Sequence, residues 1–331
     1  MIDRHVLQQT SKCSRAICIA GILLAPGHLR AEENTSAFSK EVYTFKTIDP
    51  VKLQADVYRH EDTVNRPTIV WLHGGALIMG NRGVPKQLLK LAEQERFVLV
   101  SLDYRLAPEA QLAEIIEDLK DGLKWVRESG PELFHADSSR TVVAGASAGG
   151  YLALMSGIRT NSPPSAIVSY WGFGDVDGDW TTKPSEAYRK GKLIDKEVAW
   201  SGVGKEVLTS TNKENGRGRA TFFLYLKQTG QWINAVSGLD PNTDRDKLTP
   251  FCPIRNISPA YPPTLFLHGT ADVDVPVEQS TGMARELERH GVAHELITIE
   301  GGGHSLWGGD RELIDQAFKR STEYIREQLT K

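Results

Sequence analysis

Thr141-Val142-Val143-Ala144, then Gly145-Ala146-Ser147-Ala148-Gly149-Gly150, then Tyr151-Leu152-Ala153-Leu154-Met155 is the stretch whose reading decides the fold. A β-branched run, a serine boxed by small residues and a helical run read as the strand, sharp turn and helix of a nucleophile elbow. The small neighbours have a steric reason. A turn this tight imposes strained backbone angles on the serine and leaves no room for side chains beside it. Ser147 is therefore the candidate nucleophile, and the rest of the chain must supply a base, an acid and oxyanion donors.

Working outward, Thr68-Ile69-Val70-Trp71-Leu72, Phe97-Val98-Leu99-Val100-Ser101-Leu102 and Ala166-Ile167-Val168-Ser169-Tyr170-Trp171 are continuous apolar runs. So are Thr264-Leu265-Phe266-Leu267-His268 and His294-Glu295-Leu296-Ile297-Thr298-Ile299. Little alternation means strands covered on both faces, as in a parallel sheet. Helical spacing lies between them, over residues 84–96, 109–129, 277–290 and 311–328. Only residues 41–47 and 51–58 alternate with period two, which predicts an antiparallel hairpin at a sheet edge. Strands alternating with helices predict an α/β fold with a doubly wound sheet. Residues 172–255 break the alternation and read as a cap-like insertion, with helices expected at 195–200 and 220–234.

Three further motifs each follow a predicted strand. His73-Gly74-Gly75-Ala76 offers the amides of Gly75 and Ala76 to a developing oxyanion, with the amide of Ala148 as the other donor. His268-Gly269-Thr270-Ala271-Asp272-Val273-Asp274-Val275-Pro276 carries two carboxylates in a loop. Asp272 is the candidate acid that orients a histidine, and Asp274 the alternative. Gly301-Gly302-Gly303-His304-Ser305 puts His304, the candidate base, on a flexible loop before the last helix. His73 and His268, at strand ends, suit structural hydrogen bonding.

The order Ser147, Asp272, His304, with His73-Gly74-Gly75-Ala76 and Asp103-Tyr104-Arg105-Leu106-Ala107-Pro108-Glu109, resembles the esterase/lipase group of α/β-hydrolases. That group includes hormone-sensitive-lipase-like carboxylesterases and bacterial acetyl xylan or feruloyl esterase-like enzymes, and the resemblance spans residues 42–325. It implies an α/β-hydrolase fold and ester hydrolysis through an acyl-enzyme, with no metal and no organic cofactor. Hormone-sensitive-lipase-like chains usually carry a third glycine where this chain has Ala76 and an acidic residue where it has Ala146, whereas the stretch from Leu267 to Ser280 and the Gly303-His304 loop look closer to the feruloyl esterase-like and prolyl-oligopeptidase-like branches. A prolyl-oligopeptidase-like peptidase and a catalytically silent binding protein are the competing readings. Asp103 and Arg105 read as a structural ion pair beneath the site. Trp171, Trp180, Trp200, Trp232 and Trp307 form a sparse aromatic set near the mouth or in the insertion, which suits an acylated carbohydrate among the candidate ester substrates.

The chain has 331 residues, a net charge of −3 and ordinary charged and apolar fractions, which disfavour an electrostatic nucleic-acid binder and a disordered chain. Residues 32–331 read as one domain. Ahead of it, Arg4, His5, Lys12 and Arg15 precede a short apolar run from Ala16 to Ala25. Residues 1–31 thus match a secretory signal peptide and imply export, the run being too short for a comfortable membrane span. Two of the three cysteines lie in this leader. Cys252 alone cannot form an internal disulfide, so the fold must rest on its core.

Overall fold

The computed structural model describes residues 37–160 and 162–331. The leader and its signal-peptide reading lie outside the described residues. The hairpin comes first, as β1 (Phe38–Ile48) and β2 (Val51–His60), followed by β3 (Arg66–Leu72), α1 (Lys86–Glu95) and β4 (Val98–Leu102). Next are α2 (Leu112–Glu128), α3 (Gly130–Phe134), β5 (Ala136–Ala146), α4 (Ala148–Arg159) and β6 (Ala166–Tyr170). The insertion holds only helices: α5 (Asp179–Thr182), α6 (Glu186–Arg189), α7 (Lys196–Trp200), α8 (Gly216–Thr229), α9 (Trp232–Ser237) and α10 (Arg245–Leu248), besides short 3₁₀ turns. β7 (Thr264–Gly269), α11 (Glu278–Arg289), β8 (His294–Ile299) and α12 (Arg311–Leu329) complete the fold.

The eight strands run in the order β1-β2-β4-β3-β5-β6-β7-β8. β1 pairs with β2, and β2 with β4, antiparallel; every later pair is parallel. Side chains alternate across a strand, so each inner strand feeds two cores. Val70 and Leu72 join Ile115 and Leu119 of α2 and Leu152 of α4 on one face. Ile69 and Trp71 join Leu88 of α1 and Ile325 of α12 on the other.

Three expectations shift. β5 starts at Ala136, ahead of Thr141, because an irregular register between Pro67 and Thr68 of β3 carries the pairing farther back. The single helix expected over residues 220–234 is two, since Gly230 adopts a left-handed φ of 68° and caps α8 through its N–H to the Leu226 carbonyl. Asp103 and Arg105 do not pair with each other. Asp103 meets Arg82, whereas the Nε of Arg105 donates to the buried Asp118 at 2.7 Å and its Nη1 to Glu114 at 2.7 Å.

The elbow depends on close backbone approach. A Cβ on Gly149 would lie 1.9 Å from the Leu72 carbonyl oxygen and 2.6 Å from that of His73. Gly149→Ala is therefore expected to lower the unfolding free energy by roughly 3 kcal/mol, read as a reduced urea midpoint with an unchanged slope. A midpoint equal to that of the wild type would show that α4 can move off β3 without penalty.

Candidate active site

All four motifs come out at the carboxyl ends of parallel strands, where side-by-side register brings them together. Leu72 of β3 is paired with Gly145 of β5, so the residues that follow each strand meet. A Cβ on Gly74 would stand 2.8 Å from the Ala146 carbonyl oxygen and 3.2 Å from Ser147 Cβ, a contact that only glycine permits.

Ser147 has φ 55° and ψ −120°, a conformation costing about 1–3 kcal/mol. Its neighbours hold it there. The Ser147 N–H donates to the Tyr170 carbonyl at 2.9 Å, and its own carbonyl accepts the Tyr151 N–H at 3.0 Å. His304 Nε2 lies 3.0 Å from Ser147 Oγ and His304 Nδ1 lies 2.7 Å from Asp272 Oδ2. With the Nδ1 proton donated to the carboxylate, Nε2 is left to accept the serine proton.

Asp272 has both oxygens engaged. Oδ1 accepts the N–H groups of Asp274 at 2.8 Å and Val275 at 3.0 Å, while Oδ2 faces His304 and also His268 Nε2 at 3.3 Å. Burial alone would push its pKa up, but hydrogen bonds from His268 and His304, the electrostatic attraction of His304 and the Val275 amide hold it well below the usual carboxylate range. Asp274 stands apart from His304's ring nitrogens: its carboxylate accepts the Tyr188 hydroxyl. Burial raises its pKa, with His304 opposing.

His268 is buried between Ser280 Oγ, 2.7 Å from Nδ1, and the Val275 carbonyl, 2.8 Å from Nε2. Its Nε2 proton thus points toward the Val275 carbonyl and Asp272, and it buttresses the acid's loop. His73 is also buried; burial chiefly drives its pKa down to about 4, so it is neutral. Its ring stacks on Tyr104 at 4.3 Å and its Nδ1 donates to the Gly74 carbonyl at 2.8 Å.

A cavity of about 330 Å³ opens onto Ser147 and His304. Gly74, Gly75 and Ala76 form one wall. Gly75 has φ 120° and a Cβ there would lie 2.0 Å from the Met79 carbonyl, while Ala76 and Leu77 also have positive φ, 55° and 62°. Ala148 is buried at the first turn of α4, directly behind the serine. The insertion supplies further lining through Trp180, Phe223, Lys227 and Trp232, joined by Trp171 and Phe173 at its root. Trp200 packs on Phe222 instead, and Trp307 is 83 % exposed. Phe173, Phe223 and Lys227 carry no motif in the sequence; only long-range packing brings them here.

The insertion is stitched to the loops that follow β3 and β4. Trp232 Nε1 donates to the Ala76 carbonyl at 3.0 Å, the Thr211 N–H to the Gly80 carbonyl at 2.7 Å, and the Leu106 N–H to the Leu208 carbonyl at 2.7 Å. Arg219 of α8, fully buried, reaches Glu109 at 2.5 Å and the Ala107 carbonyl at 2.7 Å. Among the described residues, no group of three or more His, Cys, Asp or Glu side chains is placed to hold a metal ion, and no helix is long and apolar enough to cross a membrane.

Comparison with known proteins agrees with this architecture. Among solved structures, a Staphylococcus aureus protein of unknown function superposes with a TM-score of 0.70 at 20 % identity, covering 87 % of this chain and 99 % of its own. A Pyrobaculum calidifontis esterase gives 0.63 at 24 % identity, covering 88 % and 86 %. In sequence, the chain is 28 % identical over 325 residues to the non-reducing polyketide synthase ausA of Penicillium brasilianum; the match takes 83 % of this chain and spans only 13 % of that protein's length. The BD-FAE family matches residues 55–287. Because that match runs from β2 into α11 and takes in both the serine elbow and the Asp272 loop, the chain belongs to the BD-FAE family, with the fold of the α/β-hydrolases.

Proposed function

We propose that the protein cleaves carboxylic esters by two-step acyl transfer on Ser147. The observation that carries this reading is the unbroken chain Ser147 Oγ, His304, Asp272, with hydrogen-bond distances of 3.0 and 2.7 Å. Oγ attacks the ester carbonyl carbon while its proton passes to His304 Nε2. The oxyanion that forms is held by the amides of Gly75, Ala76 and Ala148, and Asp272 stabilises the imidazolium. Collapse expels the alcohol, which takes the proton from Nε2. Water then attacks the acyl-enzyme, giving its proton to Nε2, and the acid leaves as Oγ recovers it.

Trp171, Trp180 and Trp232 on the cavity wall support a ring-bearing ester, with an acylated carbohydrate as the second reading. A panel of acetylated and feruloylated sugars beside simple aryl esters separates the two, and dipeptide amides in the same panel test the peptidase alternative. Export through the leader belongs to the same proposal, and the N-terminal sequence of the mature protein checks it. The direct test of mechanism is labelling by a fluorophosphonate. The adduct is expected on Ser147, located by peptide mass. Failure to label would favour a catalytically silent binding protein.

A further inference from the structure

The cap side of the cavity holds a cation that acyl transfer does not use. Lys227 reaches in from α8, 5 % exposed, and its Nζ donates to the Asp274 main-chain carbonyl at 2.9 Å and the Trp180 carbonyl at 3.4 Å. The same nitrogen lies 5.2 Å from the centroid of the Trp180 ring and 5.9 Å from that of Tyr188. Among the described residues no carboxylate forms an ion pair with it. Asp274 lines the same cavity, but Lys227 takes its main-chain carbonyl while its carboxylate accepts the Tyr188 hydroxyl.

Two neutral carbonyls and two aromatic faces support the ammonium without cancelling its charge. Burial lowers the Lys227 pKa to about 8, against the attraction of Asp272, so the group remains mostly charged at pH 7. A buried charge without a counter-ion is unfavourable, and a ligand bearing the opposite charge relieves it. The cavity that Lys227 lines is otherwise largely aromatic and apolar, and it opens onto Ser147.

We propose that Lys227 is a specificity-determining residue that receives a carboxylate carried by the substrate, so that the preferred esters are anionic. The carboxylate sits on whichever part of the ester, acyl or alcohol, fills the aromatic side of the cavity. This inference rests on the esterase reading above and adds the charge class of its substrate.

The test uses two matched pairs of esters. Mono-4-nitrophenyl glutarate and 4-nitrophenyl 5-methylhexanoate place a carboxylate or its neutral isostere on the acyl side. 4-Acetoxybenzoate and 4-isopropylphenyl acetate do so on the alcohol side. A hydrogen bond to a charged group is worth roughly ten- to hundredfold, so the wild type is expected to favour the anionic member of one pair by about tenfold or more in kcat/KM. Lys227→Met should cut that ratio about tenfold, and Lys227→Arg should keep most of it. The pair that responds identifies the side that carries the charge. No anionic preference in either pair overturns the proposal, as does a preference that survives Lys227→Met in protein that still labels with fluorophosphonate. If the wild type hydrolyses none of the four esters, it is the esterase reading that fails. The subsite is then judged by calorimetric titration of 4-acetoxybenzoate and mono-4-nitrophenyl glutarate into Ser147→Ala. Binding of either that Lys227→Met weakens about tenfold upholds the site; binding that is absent or indifferent to the substitution overturns it.

Discussion

Ser147→Ala is expected to lower kcat on a short-chain aryl ester by roughly 10⁴–10⁶-fold, with the fold intact. The alanine keeps the elbow's backbone, whose hydrogen bonds run from Ser147 N–H to Tyr170 and from Tyr151 N–H to the Ser147 carbonyl, so only the nucleophile is lost. A residual rate above that of water should remain, because the amides of Gly75, Ala76 and Ala148 and the cavity wall are untouched. Steady-state kinetics with an aryl ester measures the drop, and thermal unfolding checks the fold. Turnover within tenfold of the wild type would remove Ser147 from the nucleophile's role.

Asp272→Asn should cost about 10⁴-fold in kcat, whereas Asp274→Asn should cost less than about tenfold. The asymmetry follows from the donors around each carboxyl. At Asp272 one oxygen accepts two main-chain N–H groups and the other faces His304 and His268. An asparagine has one NH₂, and either orientation sets it against donors. If the NH₂ faces His304, the imidazole must turn to the wrong tautomer; if it faces the Asp274 and Val275 amides, the loop must move. Among the described residues Asp274 has the Tyr188 hydroxyl alone on its carboxylate, a bond that an amide oxygen can accept. The folded-state pKa of Asp272 is depressed, so its contribution to stability is present above the unfolded carboxyl value, about 3.9, and is lost as pH falls through the folded one. Urea unfolding of wild type and Asp272→Asn at pH 7 and pH 3 should therefore show a gap that narrows at pH 3. Equal losses of activity in the two aspartate variants would reopen the choice of acid.

The parts of the site legible in the sequence are those with local causes. Gly145, Ser147 and Gly149 are dictated by one tight turn, and each of the other motifs ends an apolar run that could only be a covered strand. Both the sheet and its catalytic edge follow from such runs. The choice between Asp272 and Asp274 is not local: it turns on where the His304 loop lands and on Tyr188, far back in the insertion. The pairing of Asp103 with Arg82 and of Arg105 with Asp118 likewise joins segments that only the folded sheet brings together. The break between α8 and α9 was readable at Gly230, a residue suited to end a helix, but apolar spacing on both sides masked it. Lys227 had no readable signal at all, being one lysine in a helix whose inward face is set by packing against Trp180 and Tyr188.

The bond from Trp232 to the Ala76 carbonyl has an evolutionary corollary. On the proposed mechanism, the element that lines the substrate cavity and the element that stabilises charge during reaction share a joint, with Thr211 and Leu208 as further rivets. New specificity therefore cannot be acquired by drifting the insertion alone, as it could with a free-swinging lid. A foreign insertion grafted onto this scaffold would carry a turnover defect until residues 76–80 and 106 were re-matched to it, and natural diversification of the cap should proceed through paired changes on the two sides of that seam.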